Sequence, residues 1–556
     1  MMSTELHAEM ADFVSPTGLN PITVEVIGSA FESTVDEMGE ALVRASYSTN
    51  IKERRDCSTA IFDARGAMLC QAEHIPIHLG SFISFIPLIM ERNRLEDIRP
   101  GDVFIGNDAY EGGGTHLPDI VLAEPVFYQG TLVAWAINLA HHSDFADRGH
   151  AHIYQEGIRI PPIRFYREGV LQKDVQDLVL LNCQVPHERL SDLRAQMAAN
   201  RLGAARIVAL CEKYGADVVD QAGRELQDYA ERKIRAGIRQ IPDGTYDFED
   251  VFETDTYADD LPMGVSIRIE GDEMHLHFTS PKQVRDGLNV VYTGLLATVY
   301  YAVKTVVDPN VPPNAGIARP LHVTAGSGTL LNCEHPAAVN GRLSACQRVV
   351  DLIHGALAQV VPDRVTAASN GSCFAITFIG NRPDRSLWVY LETIGGGNGA
   401  RLNKDGLDGV HVHMTNTSNL PVEALEGEYP ITVLRYELAD DSGGAGQYRG
   451  GMGLRRVYRV EETCRVNADG SRIRSQPWGL DGGRAGASGG VTRFKGAGPE
   501  VLPLGEVHRG DVIEVLTPGA GGFGDPAARP KAQVAQDLKD GTISADTARA
   551  AYGYSA

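Results

Sequence analysis

The chain has 556 residues, 43% of them hydrophobic and 22% charged, with 72 acidic side chains against 51 lysines and arginines. Its net charge of -21 opposes binding to nucleic acid or to an anionic membrane, both of which need a basic face. Eight scattered cysteines with no CxxC pair exclude a zinc-ribbon spacing and argue against a disulfide framework. The first residues show no basic and apolar blocks of signal-peptide type, and no run of eighteen apolar residues occurs, so a cytoplasmic protein is expected.

Asn20-Pro21 opens the first predicted helix, with Asn as its cap and Pro at the first helical position. Val24, Ile27, Phe31, Val35, Met38 and Leu42 follow at helical spacing, giving one apolar stripe to about Ala45. Residues 57–62 and 67–71 flank a Gly-containing turn and read as a hairpin. Helix is expected over 81–94, then strands at 102–105, 120–127 and 132–139. A second helical block spans 191–239, ended by the breaker Ile241-Pro242-Asp243-Gly244. Strands at 266–269 and 274–278, a helix at 288–307, a linker or domain-edge loop at 308–320 and a helix at 347–360 follow.

Beyond Ala375 glycine and β-branched residues dominate until a terminal helical stretch, 531–551, broken at Asp540-Gly541. His411 and His413 alternate as on one strand face, and Glu392 reads as part of a polar loop. The fold class is α+β, in three parts. A helical and mixed N-terminal domain with the metal site covers 1–240, an α/β segment 241–320, and a β-rich, Gly-rich C-terminal domain with its terminal helix 321–556.

The segment Gly113-Gly114-Thr115-His116-Leu117-Pro118-Asp119 leads into one strand of a hairpin whose turn is Gln129-Gly130 and whose return strand ends near His141. Opposing positions then sum to 259, which sets His141 opposite Pro118 and Asp119 opposite Ala140. His116, Asp119 and His141 converge at the open end of this hairpin. Strict pleating turns Asp119 away from the two histidines, so an irregularity at Pro118 is required to bring the carboxylate round. Two imidazoles and a carboxylate with open positions suit Zn²⁺, Mn²⁺ or Fe²⁺. The bland reading is of ordinary polar residues at strand ends. Asp144 is placed to accept a hydrogen bond from a ligand histidine, while His150 and His152 read as solvated.

Several segments resemble the hydantoinase B family, which includes N-methylhydantoinase and caprolactamase subunits, the C-terminal half of 5-oxoprolinase and acetone carboxylase alpha subunits. They include Glu53-Arg54-Arg55-Asp56, Gly113-Gly114-Thr115-His116-Leu117 with Asp119, Glu156-Gly157-Ile158-Arg159-Ile160-Pro161-Pro162, Asp192-Leu193-Arg194-Ala195-Gln196 and Pro477-Trp478-Gly479-Leu480. The resemblance covers nearly the whole chain and implies a metal held by His116, Asp119 and His141, with Asp56 nearby as ligand or base. The chain departs from the family at Asn107-Asp108-Ala109, at Asn182-Cys183-Gln184 and after His142, which bears on the substrate pocket rather than the ligands.

The chemistry of the family uses ATP, yet no GxxxxGK[ST] loop occurs here. The resemblance implies that ATP and Mg²⁺ belong to a separate hydantoinase A-type subunit, so that this chain is half of a hetero-oligomer. It implies ATP-dependent opening of a cyclic amide: a water on a Zn²⁺ or Mn²⁺ of this chain attacks a carbonyl activated by the partner, and Asp56 or Asp144 accepts the proton. The alternative it leaves is a subunit of an ATP-dependent ketone carboxylase. A metal-free scaffolding subunit is a third reading, which the intact ligand set opposes.

Overall fold

The computed structural model describes residues 18–72, 74–111, 113–142, 149–254, 257, 259–495, 498–501 and 505–555. Helices and four sheets alternate in an α+β arrangement. Helix α1, Pro21–Ala45, begins as its sequence dictates: the Asn20 side chain accepts from the Ile22 N–H, and Val24, Ile27, Phe31, Val35, Met38 and Leu42 are all buried.

The first sheet has seven strands in the order β2-β1-β5-β4-β3-β6-β7. They are β1 (Cys57–Asp63), β2 (Met68–Gln71), β3 (Val103–Gly106), β4 (Asp119–Tyr128), β5 (Thr131–His141), β6 (Ile163–Arg167) and β7 (Val170–Leu171). One face of its centre packs Cys57, Ile61, Val126, Ala134, Ala136 and Ala140 against α1 and against α2 (Pro186–Tyr214). Three amides of this face tie helix to sheet: Gln196 and Asn200 donate to the carbonyls of Ile120 and Leu122, and Asn138 donates to the Gln196 carbonyl. Asp192, on the same helix, accepts from the N–H groups of Tyr47 and Ser48 after α1. The opposite face carries Val121, Ala123, Trp135, Ile137 and Leu139 under Phe82, Phe85 and Ile86. The helix expected over 81–94 is broken into Leu79–Phe82 and Phe85–Arg92.

The second helical block starts earlier than its sequence suggests, at Lys173, and Gly215 (φ 88) divides α2 from α3 (Ala216–Ile238). A four-stranded sheet follows, ordered β11-β10-β9-β8. Its strands are β8 (Gly244–Phe252), β9 (Leu261–Glu270), β10 (Glu273–Thr279) and β11 (Leu321–Ala325), with β11 parallel to β10. Helices α4 (Tyr292–Val307) and α5 (Arg342–Leu357) pack with it in the largest core. That core draws on residues from Ile75 to Met414. Within the segment 308–320 a short helix, Ala315–Ala318, forms, and its preceding Asn314 donates to the Leu226 carbonyl.

In the C-terminal part, strands from two further sheets share one core that includes Phe374, Ile376, Phe378, Trp388, Tyr458, Val491, Ile513 and Val515. The glycine density there has a physical cause. A Cβ on Gly450 would lie 1.9 Å from the Ala520 carbonyl oxygen, so only glycine lets these backbones meet. Glu392 is not in a loop: it lies within the strand Leu387–Ile394, buried against Arg456 and Tyr458. His411 and His413 are not on a strand either; His413 is buried in a turn with φ 50. Lys531–Asp540 and Ala545–Tyr552 form the terminal helices, separated at Gly541 (φ 74) as expected. Among the described residues no helix is long and apolar enough to cross a membrane.

Candidate metal centre

The hairpin of β4 and β5 turns at Gln129-Gly130, both with positive φ (48 and 81), which matches the twist of the flanking strands. Close to the turn, Tyr128 faces Thr131 and Phe127 faces Leu132, the register read from the sequence. The register then shifts between Val126 and Phe127, where Val126 faces Ala134 and Val133 is left without a partner. From there every pair is displaced by one residue, so Asp119 lies opposite His141 rather than Ala140. The irregularity needed to bring the carboxylate round is therefore a bulge near the turn, not a distortion at Pro118. A one-residue slip flips faces, and here it puts Asp119 and His141 on one side.

A third strand adds to the row. The Asp56 carbonyl accepts from the His141 N–H at 3.0 Å, just before β1 begins. The Asp56 carboxylate lies 4.0 Å from His141 Nδ1. His116 comes from the preceding loop, which Asn107 pins by donating to the Leu117 and Ile158 carbonyls. A Cβ on Gly113 would sit 2.8 Å from the Asp108 nitrogen, so the loop closes only around glycine.

At the centre, Asp119 Oδ1 is 2.9 Å from His116 Nε2 and 3.3 Å from His141 Nδ1. The three residues offer ligand atoms all within 4.8 Å of one another, and no residue among them is exposed. The His116 Nδ1–H donates to Asn340 Oδ1 at 3.2 Å, because an amide oxygen can only accept. Burial first, and then the Arg342 guanidinium, push His116 down to about 3, so its ring is neutral and Nε2 carries a lone pair. Nε2 and Asp119 Oδ1 are both buried and have no hydrogen-bond partner. Two electron-rich atoms thus face each other inside the protein, an arrangement that a cation between them would relieve. The residues present fit a divalent cation.

Asp119 is itself held anionic. Burial acts to raise its carboxyl, yet it lies well below the usual carboxylate range, with the permanently charged Arg342 guanidinium paired to it. Arg342, at the start of α5, donates to Asp119 Oδ2 at 3.1 Å and to Thr115 Oγ1 at 2.9 Å while itself 1% exposed. Removing one partner of such a buried pair typically costs about 3–5 kcal/mol.

Sequence reasoning overlooked His78, Asn340 and Arg342. His78 Nδ1 is 2.9 Å from Ser58 Oγ, and its Nε2 lies 3.6 Å from Asp56 and 3.9 Å from Asp119. Burial lowers its pKa as well. The spacing His74-x-x-x-His78 just beyond the first hairpin was the available signal; nothing local marks Asn340 and Arg342, which arrive from more than 220 residues away.

His142 points to the other side of the sheet, where Nε2 meets Gln196 Oε1 at 3.2 Å, so adjacent histidines serve opposite faces. Asp144 lies outside the described residues. His150 is not simply solvated: its Nδ1 is 3.3 Å from the buried Glu156. His150 also lines a cavity of about 410 Å³ with His116, His141, Arg342 and Asp469.

Residues 20–526 match the family model described as hydantoinase B/oxoprolinase. The chain is 34% identical to the B-type component of a putative D-/L-hydantoinase from Pseudomonas sp. strain NS671, over 96% of this chain and 95% of that one. It is 32% identical to the beta chain of the caprolactamase of Pseudomonas jessenii, over 96% of each chain. The crystal structure of the ATP-dependent caprolactamase from Pseudomonas jessenii superposes with a TM-score of 0.89 over 96% of both chains. A nucleotide-free acetone carboxylase structure shares the fold at 18% identity and a TM-score of 0.88, over 98% of this chain and 80% of that one. With this match from one end of the fold to the other, the chain belongs to the hydantoinase B/oxoprolinase family, whose members include ATP-dependent enzymes.

Proposed function

We propose that this chain is the metal-bearing B-type subunit of an ATP-dependent cyclic-amide hydrolase, working with a hydantoinase A-type subunit that binds ATP and Mg²⁺. The observation that carries the reading is the buried, unpartnered pair of His116 Nε2 and Asp119 Oδ1 beside His141, at the wall of a cavity. Support comes from the names of two relatives, one the B-type component of a hydantoinase and the other the beta chain of a caprolactamase.

In this reading His116, Asp119 and His141 hold one Zn²⁺ or Mn²⁺. Such an ion supplies Lewis acidity, making a water more acidic and offsetting charge that develops on a carbonyl oxygen. The chain's own residues do the rest. Asn340 fixes the His116 tautomer, and Arg342 anchors the second oxygen of Asp119. Asp56, beside His141 and His78, accepts a proton on its carboxylate. The cavity lined by His116, His141 and Arg342 gives an activated carbonyl a place beside the ligand residues.

The test is co-expression with the A-type partner and a panel of lactams, hydantoins and ketones with ATP. ATP-dependent ring opening is expected, with His116→Ala reducing it at least about a hundredfold, beyond the loss usual for an outer partner of a metal ligand. Full activity in His116→Ala would contradict the role given to the site. Bicarbonate-dependent turnover of ketones, with none of cyclic amides, would make the chain a carboxylase component instead.

A further inference from the structure

The solvent-facing side of the sheet β8–β11 carries a second gathering of metal-binding side chains. Strand β10 reads Glu273-Met274-His275-Leu276-His277, so alternate residues face opposite ways. Met274, Leu276 and Phe278 enter the largest core, which leaves Glu273, His275 and His277 on the outer face. The neighbouring β11 is parallel to β10, and His275 is directly paired with His322. Their rings stack with centroids 4.5 Å apart and planes within 18°. His322 Nε2 approaches Glu273 Oε2 at 2.9 Å. One ligand atom from each of Glu273, His275 and His322 lies within 4.8 Å of the others.

We infer that Glu273, His275 and His322 form a second site, for a divalent cation of Zn²⁺ type, separate from the cavity that holds His116 and His141. Two imidazoles and a carboxylate select a borderline transition ion over Mg²⁺ or Ca²⁺, which want oxygen donors. The scaffold is rigid because all three positions sit on paired strands whose reverse side is core. Nearby cations are occupied: Arg268, opposite His275, binds Glu270, and Arg235 meets Glu273 through its other oxygen, Oε1. Glu270 also lies 3.7 Å from His275 Nε2, within reach as a fourth donor.

The position gives such an ion a job. β11 is the edge strand of its sheet, five residues long, and the chain beyond it leads to Asn340 and Arg342. An ion shared by β10 and β11 fastens this edge and steadies the segment that carries the two partners of the first site.

The experiment is equilibrium dialysis of the full chain, stripped of metal, against low-micromolar Zn²⁺. Two equivalents are expected for the native sequence. His275→Gln with His322→Gln, at exposed or half-exposed positions, should retain one equivalent, and His116→Ala should retain the other. A double glutamine variant that still binds as much Zn²⁺ as the native chain overturns the second site. A His116→Ala variant that binds none overturns it equally. If native protein binds one equivalent that vanishes in the double variant but not in His116→Ala, the second site stands and the first falls. Co²⁺ absorption supplies an independent readout: the double variant should lose about half the d–d intensity, and an unchanged spectrum contradicts the assignment.

Discussion

Asn340 is the residue on which the chemistry of His116 turns. Without its side-chain oxygen the imidazole is free to place its proton on Nε2, where it would donate to Asp119 and block a cation. Partners of this kind commonly affect metal affinity by about 10–100-fold. Asn340→Ala should therefore weaken Zn²⁺ binding at the first site by that factor in a competition titration while leaving the circular dichroism unchanged. Affinity equal to that of the native chain would show that the tautomer is set elsewhere. At this scale the sequence marked the three residues that the structure brings together but not their supports. His116, Asp119 and His141 stand in one stretch of 26 residues, whereas Asn340 and Arg342 reach them through tertiary packing alone, with no local pattern to announce them.

For the hairpin, the turn was legible because Gln129-Gly130 can adopt positive φ at both central positions. The bulge was not. Val133 is an ordinary β-branched residue in an alternating strand, and nothing in its type marks it as the one left without a partner in β4. That single unpaired residue moved Asp119 from the wrong face to the right one. The loop before β4 is equally demanding. Gly113→Ala would push a methyl group to 2.8 Å from the Asp108 nitrogen, displacing the segment that presents His116. Zn²⁺ affinity at the first site should fall roughly tenfold or more, since ligand placement tolerates only small errors. Unchanged affinity would mean that the loop absorbs the methyl group without moving His116. Helix α1 presents the opposite case, since cap, proline and apolar stripe agree and both predicted ends match the structure.

Taken whole, the molecule keeps many histidines neutral. His74, His142 and His411 are pushed down to about 4, and His116 and His354 to about 3, in each case first by burial. An unfolded chain protonates the same side chains near pH 6.5. The unfolded state therefore binds more protons between that value and the depressed folded ones. The stabilisation is complete above pH 6.5 and is lost as pH falls toward 4 and below. Each histidine adds up to about 1.4 kcal/mol per pH unit. Thermal unfolding of metal-stripped protein should show a melting temperature that drops steeply from pH 7 to pH 5. A flat profile over that range would contradict the neutral burial of these rings. The α+β class and the richness of strands beyond residue 375 were readable from composition and periodicity. The merging of distant segments in one core, Ile75 with Met414, was not, because periodicity reports which face is buried and not what covers it.

Everything proposed for the first site depends on His116, Asp119 and His141 holding one divalent cation. Anomalous diffraction from crystals of the purified chain, collected on both sides of the zinc and manganese absorption edges, tests it most directly. A strong peak is expected within bonding distance of His116 Nε2, Asp119 Oδ1 and His141, absent below the edge of the metal concerned. Crystals grown with either metal that show no peak there, and in which Asp119 accepts a proton-mediated hydrogen bond from His116 instead, would contradict it.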